Sequence, residues 1–264
     1  MAAMAVDDAS SASVAPEPRE SDAVLARRVQ ILATEHWGLL AARGTAQSEV
    51  LTRITIFLTL VSAGLVTIGL LGQASGFADW FAAAALSILG FLVLVGLLTQ
   101  VRVFNVAEED MMFVTAMNRL RGAYVDLDPR VEEYFLQASA DDMLGMQVTY
   151  SFLRRRSDAS QVLGGSAFLI LLVNACVLGL FAGGLVTVAG VAVGWAVAVG
   201  VLLGLLLVVA SMLWVFVRYR SVWDRYVPRR RLAELPDHLR PVARRSSEPH
   251  RRASTAMDHH SRRA

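Results

Sequence analysis

Charged residues are absent from three stretches of this chain, residues 54–78, 80–101 and 159–217. A helix needs roughly 20 apolar residues, at about 1.5 Å each, to cross a ~30 Å hydrocarbon core. The first two stretches are therefore one crossing each. The third would be about 85 Å long as one helix and must fold back on itself. The pattern predicts four transmembrane helices in two tight hairpins. The first pair spans about 54–71 and 80–101, turned by Gly72-Gln73-Ala74-Ser75-Gly76; the second spans about 161–183 and 191–217, turned near 184–190.

The polar stretches carry helical periodicity of their own. Residues 1–20 are rich in Ala, Ser, Pro and acids, a composition that reads as disordered. They lack the basic-then-apolar layout of a signal peptide, which leaves the first transmembrane helix as the insertion signal. From Ser21 or Asp22 as N-cap, Leu25, Val29, Leu32, His36 and Leu39 recur at helical spacing, predicting an amphipathic helix over 21–44 that ends near Gly44. The first hairpin then occupies 45–101. In the bridge, 102–158, Val103, Val106, Phe113, Met117, Leu120 and Tyr124 extend the second transmembrane helix to about Tyr124, a rod of about 45 residues. Asp128 and Pro129 start a short helix to about Gln137, with Val131, Tyr134 and Phe135 as its apolar face. Asp110 falls on the rod's apolar stripe. It reads as a solvated position, the alternative being a bound cation or an arginine partner such as Arg119 or Arg121. The second hairpin fills 159–217, and 218–264 is a basic, mostly disordered tail. The fold class is all-α, an integral membrane protein with four transmembrane helices in two hairpins and cytoplasmic helical extensions.

Composition fixes the sidedness. The chain is 55% hydrophobic, and all 25 of its basic residues are arginine. Five precede the first transmembrane helix, seven lie between Arg102 and Arg156, thirteen follow from Arg218, and the two short turns hold none. By the positive-inside rule both termini and the bridge are cytoplasmic. Arginine-only usage with abundant Ala, Val and Gly fits a GC-rich bacterial genome, hence a bacterial cytoplasmic (inner) membrane. The net charge of +2 reflects topology and gives no reason to expect nucleic acid. Arg154-Arg155-Arg156 suits anionic headgroups, making the bilayer itself a partner.

The chemistry that composition permits is narrow. Cys176 is the single cysteine, so no intramolecular disulfide and no Cys-rich zinc motif can form. After His36 the next histidine is His238, too few for a histidine metal site. Glu108, Glu109, Asp110, Asp141 and Asp142 lack the spacing of a cation-binding loop. No P-loop, dinucleotide fingerprint or nucleophile elbow is present, so the expectation is a non-enzyme without cofactor or metal. The apolar stretches hold no ionisable residue other than Cys176, which argues against an ion-coupled transporter. Glycine pairs at 179/183, 190/194 and 200/204 predict a dense helix interface. Asn174 is the strongest polar side chain in the second hairpin and reads as a cross-helix hydrogen bonder. A pore-lining role, shared with Thr55, Thr59 and Thr67, is the alternative.

The most distinctive segment is Met117-Asn118-Arg119-Leu120-Arg121-Gly122-Ala123-Tyr124, followed by Asp128-Pro129. It resembles the cytoplasmic Met-Asn-Arg-x-Arg-x-x-Tyr motif of a group of uncharacterised bacterial, mainly actinobacterial, multi-pass membrane proteins. Residues 33–37, Ala-Thr-Glu-His-Trp, are similar to the matching part of that group. The resemblance covers about residues 31–150 and implies no particular activity. In layout alone the chain is similar to small pore-forming effector domains of bacterial defence systems. The reading is a cytoplasm-facing interaction, sensing or scaffold protein that forms homo-oligomers. A cytoplasmic protein partner would bind at Asn118, Arg119, Arg121 and Tyr124, with Glu35, His36 and Trp37 packed beside them. His36 reads as a partly buried seam histidine and Trp37 also as an interfacial anchor. The alternative function is an oligomeric channel or pore.

Overall fold

The computed structural model describes residues 21–151 and 165–235. The expectations for 1–20, for Arg154-Arg155-Arg156 and for 236–264 fall outside those residues. The described chain forms α1 (Asp22–Ser75), α2 (Asp79–Leu127), a 3-10 helix (Pro129–Tyr134), α3 (Met143–Tyr150), α4 (Ser166–Val188), α5 (Val193–Arg225) and a 3-10 turn (Leu232–Glu234). No strand occurs among the described residues, and α1, α2, α4 and α5 are long and apolar enough to cross a membrane.

α1 does not end at Gly44. It is one helix of 54 residues. The inward stripe carries straight through: Leu25, Leu32, His36, Leu39 and Arg43 are followed, at spacings of three and four, by Ala46, Val50, Ile54, Phe57 and Val61. One exposed glycine costs about 1 kcal/mol relative to alanine, too little to break a helix whose packing face is uninterrupted. The helix stops at Gly76, which takes a left-handed φ of 56°, while the Phe77 N–H reaches back to the Gly72 carbonyl at 3.2 Å. Phe77 also has positive φ, 61°, and its ring meets Phe81 edge-on at 5.2 Å. The turn thus falls at 76–78, later than the glycine spacing predicts.

α2 runs without a break from the apolar stretch into the polar one, as its periodicity predicts, and ends at Asp128 ahead of Pro129. The following segment is a 3-10 helix ending at Tyr134, not an α-helix to Gln137. Asp128 does cap it, accepting from the Arg130 N–H at 3.1 Å. Of the expected apolar face Val131 and Phe135 are half-buried but Tyr134 is exposed, and Glu132 turns inward to accept from the Ser139 hydroxyl at 2.6 Å.

α2 is the central helix, packing against α1 on one side and α4 on the other, with α4 against α5. Val50, Ile54, Phe57 and Val61 of α1, Leu89, Leu92, Val103 and Val106 of α2, and Ile170 and Val177 of α4 form one core. The outward faces are as apolar as the core, with Leu65, Val66, Leu94, Leu98, Leu180, Leu202 and Leu205 all exposed, a surface suited to lipid. α4 and α5 meet backbone to backbone. A Cβ on Gly179 would lie 2.9 Å from the Gly200 carbonyl oxygen, and one on Gly200 2.5 Å from that of Gly179. Gly190 instead occupies the turn with φ 81°, and Gly194 faces open space, so that third pair makes no interface.

Candidate functional site

The segment 117–124 lies on the polar half of α2, where α1, α3 and α5 converge. Val114 and Met117 pack with Met146 of α3, flanked by Leu39 of α1 and by Tyr219 and Trp223 of α5. Gly122 lets a loop approach, since a Cβ there would sit 2.8 Å from the Ser139 carbonyl oxygen. Asn118 is fully buried. Its Oδ1 accepts from Arg121 Nη1 at 2.7 Å and from the Thr149 hydroxyl of α3 at 2.9 Å, while its Nδ2 has no hydrogen-bond partner among the described residues.

Arg121 is half-buried, and among the described residues no carboxylate pairs with it. Burial, reinforced by the nearby Arg43 charge, pulls its pKa down to about 10, so it stays a cation at neutral pH. His36 of α1 stacks at a tilt beside Tyr124, ring centroids 6.1 Å apart. Burial first, and the Arg121 charge second, hold the imidazole below its ordinary pKa, keeping it neutral. Burial likewise raises the Tyr124 hydroxyl. Of the three α1 residues expected to pack here, His36 does so; Glu35 and Trp37 face away, with Trp37 70% exposed.

Arg119 belongs to a second centre. Its Nε lies 3.2 Å from Asp141 Oδ2 and its guanidinium 6.0 Å from the Tyr226 ring centroid. Asp141 is fully buried and also accepts from the Tyr226 hydroxyl at 2.6 Å and from the backbone N–H groups of Arg229 at 3.1 Å and Arg230 at 2.7 Å. Burial alone would raise its pKa, but these donors and the Arg119 charge outweigh it and hold the carboxyl below its usual range. Asp142 caps α3 through the Gly145 N–H at 2.8 Å and accepts from the Leu232 N–H at 3.1 Å. Leu232 and Leu235 close on Ala140, with Leu144 and Val148 alongside. Residues 226–235 are therefore a strap docked on the bridge rather than the start of a free tail. Its signal in the sequence is the pair Leu232 and Leu235, apolar residues three apart in a basic stretch.

Asp110 is neither solvated nor paired with Arg119 or Arg121. Arg43 of α1 holds it with two bonds, 2.6 and 3.2 Å, Gln47 adds one at 2.9 Å, and the Tyr150 hydroxyl donates a short one. Arg43 sits on the continuous α1 stripe, a partnership that a helix ending at Gly44 does not reveal. Arg102 bridges Glu49 at 3.0 Å and Glu109 at 2.9 Å, and Arg218 of α5 pairs with Glu108. The carboxylates grouped as a conceivable cation site are thus each engaged. Among the described residues no three metal-ligating side chains cluster.

Asn174 ties the apolar helices together. Its Nδ2 donates to the Gly96 carbonyl and to Gln100 Oε1, both at 2.8 Å, and Gln100 Nε2 donates to the Ser211 hydroxyl at 2.8 Å, linking α4 to α2 and α2 to α5. Asn174 Oδ1 accepts no N–H or O–H among the described residues. It lies 2.1 Å from where a Gly96 Cβ would be, so it faces a Cα hydrogen of Gly96, a weak donor. Thr55, Thr59 and Thr67 do not join this group. Each is exposed on α1 and donates to the carbonyl four residues earlier, at 2.9, 2.8 and 2.8 Å. Gln100, next to Thr99, and Ser211 are uncharged polar residues in long apolar runs and give no signal of their own in the sequence. Their register with Asn174 becomes visible only once the helices are packed.

Comparison with protein-family models, curated proteins and solved structures finds no match.

Proposed function

We propose that this chain is a bacterial inner-membrane protein of two transmembrane hairpins, both termini in the cytoplasm, whose polar end is a non-catalytic receiving surface for a cytoplasmic partner. The single observation that carries this reading is Arg121, a half-buried cation on an ordered helical scaffold with no carboxylate partner among the described residues. In the apolar half, by contrast, the Asn174 N–H groups, the Gln100 amide and the Ser211 hydroxyl are engaged inside the helix bundle, and no charged group is involved. The arginine asymmetry supports the orientation. On this placement Trp37 stands about 25 Å along α1 from Ile54, too far out to anchor at headgroups, so its exposed indole is a further contact for a protein partner.

Two measurements test the proposal. A Trp37→Cys chain with Cys176→Ser should react with an impermeant maleimide in spheroplasts only after the membrane is opened; labelling of intact spheroplasts overturns the orientation. Purified protein in liposomes, with its oligomer mass measured in detergent, should hold an ion gradient. A higher oligomer that leaks ions, and stops leaking on Asn174→Leu, replaces the scaffold with a channel.

A further inference from the structure

We infer that Arg121 is the receptor for one carboxylate-type oxyanion, presented from the cytoplasm between α1 and α2. The inference rests on reading the polar end as a receiving surface and names the chemistry it receives.

The comparison is internal to the fold. Arg43, Arg102 and Arg230 are arginines of the same end with side chains 28%, 28% and 26% exposed, and each carries a carboxylate partner, on Asp110, on Glu49 and Glu109, and on Asp126. Arg121 is likewise partly buried and, among the described residues, has only the amide oxygen of Asn118. A guanidinium out of bulk water without a counter-ion is costly, and its planar fork matches the two oxygens of a carboxylate. The fork is already aimed. Nη1 is fixed on Asn118 at 2.7 Å, and Asn118 is itself fixed by Thr149 at 2.9 Å and closed off from solvent.

The surroundings select for charge and for source. Arg43 has its charge matched by Asp110, and His36 is neutral, so the local excess is one positive charge, which one carboxylate cancels. A phosphate dianion would leave a negative charge unless His36 took up a proton. The twenty residues from Val101 to Arg121 are about 30 Å of helix, well beyond lipid headgroups, so the anion comes from a soluble acid or from an acidic side chain of a partner. His36 reports on occupancy. Arg121 helps to suppress its protonation, and an anion on Arg121 removes that suppression.

The test uses the full chain in nanodiscs of zwitterionic lipid with nitrogen-labelled histidine, the His36 resonance being assigned by its loss in His36→Gln. Its pKa is measured in chloride, inorganic phosphate, succinate and a tetraglutamate peptide at equal ionic strength. Succinate or the peptide should raise the His36 pKa above its value in chloride by about half a unit, a modest share of what a nearby unit charge produces. Arg121→Gln should raise it in chloride alone and erase the further anion effect. Arg121→Lys should keep the suppression in chloride yet weaken the anion response, because the fork is lost. A rise with succinate as large as with the peptide identifies a soluble acid, and a rise with the peptide alone identifies an acidic protein segment. A response to phosphate but to neither carboxylate overturns the assignment, as does a pKa equal in all four solutions or an anion effect that survives Arg121→Gln. If Arg121→Gln does not insert, the wild-type and Arg121→Lys titrations decide alone. A chain that leaks ions yet shows the Arg121-dependent shift loses the scaffold reading and keeps this one.

Discussion

Replacing Gly96 with alanine adds one methyl group at the point where α1, α2 and α4 meet. That carbon would stand 2.1 Å from Asn174 Oδ1 and 2.8 Å from Phe57 Cζ. Phe57 is fully buried, so its ring has nowhere to go, and the Asn174 side chain must swing away. Doing so breaks its bonds to the Gly96 carbonyl and to Gln100. Hydrogen bonds between membrane helices average about 0.6 kcal/mol, so two contribute about 1 kcal/mol. Overpacking a close-fitting site costs a further ~1–3 kcal/mol. Better helix propensity returns up to about 1 kcal/mol. The balance is a loss of about 2 kcal/mol, roughly a 30-fold fall in the folded-to-unfolded ratio. Gly69→Ala is the control: it lies in the apolar half of α1 as Gly96 does in that of α2, nothing stands within 4 Å of its added carbon, and the propensity gain is unopposed. Unfolding in neutral micelles titrated with SDS, followed by tryptophan fluorescence, reads both variants. Gly96→Ala should unfold earlier than the wild type and Gly69→Ala no earlier. Equal midpoints, or a reversed order, would refute the packing described at Asn174.

Asn174→Leu removes both donors and strands Gln100 Oε1 in an apolar site, so the same titration should show a loss of about 1–2 kcal/mol, with liposome leakage unchanged from wild type. Asp141→Ala leaves the Arg229 and Arg230 amides and the Tyr226 hydroxyl without their common acceptor, a loss of about 2–4 kcal/mol from stranded donors, while the half-exposed Arg119 guanidinium rehydrates and adds little. Trypsin should then cut at residues 229–231 many times faster than in the wild type, and an unchanged rate would sink the strap. His36 has a folded pKa below its ordinary 6.5, so between 6.5 and that lower value the unfolded chain binds more protons and stability falls as pH falls. The SDS midpoint should therefore drop from pH 7.5 to pH 5.5, and His36→Gln should flatten that slope; a slope unaltered by the substitution contradicts the burial of His36.

What the sequence made legible is what depends on a run of residues. Charge-free length selects four long apolar helices, and a stripe repeated at threes and fours carries α2 past Val101. Both properties average over many positions, so a single odd residue does not mislead. Gly44 is the opposite case: a boundary read from one weak helix former ignores a stripe that resumes at Ala46 and Val50, and with it the Arg43 partner of Asp110. The finer contents of the polar end depend on contacts between residues far apart in the chain. Asn118 meets Thr149 across 31 positions, and Asp141 meets Arg230 across 89. No periodicity encodes such pairings.

The segment 117–124 also looked uniform as a sequence and is not uniform in space. Neighbouring helical positions turn by about 100°, so Arg119 and Arg121, two apart, point in widely different directions. One closes on Asp141 and the strap, and the other on Asn118 beside His36. The same letters therefore divide into a residue that holds the polar end together and a residue with a charge still to be answered. Arg119→Ala is expected to act on the strap and Arg121→Gln on what the polar end receives. A binding defect shared equally by both would mean that the strap and the receiving surface are a single unit.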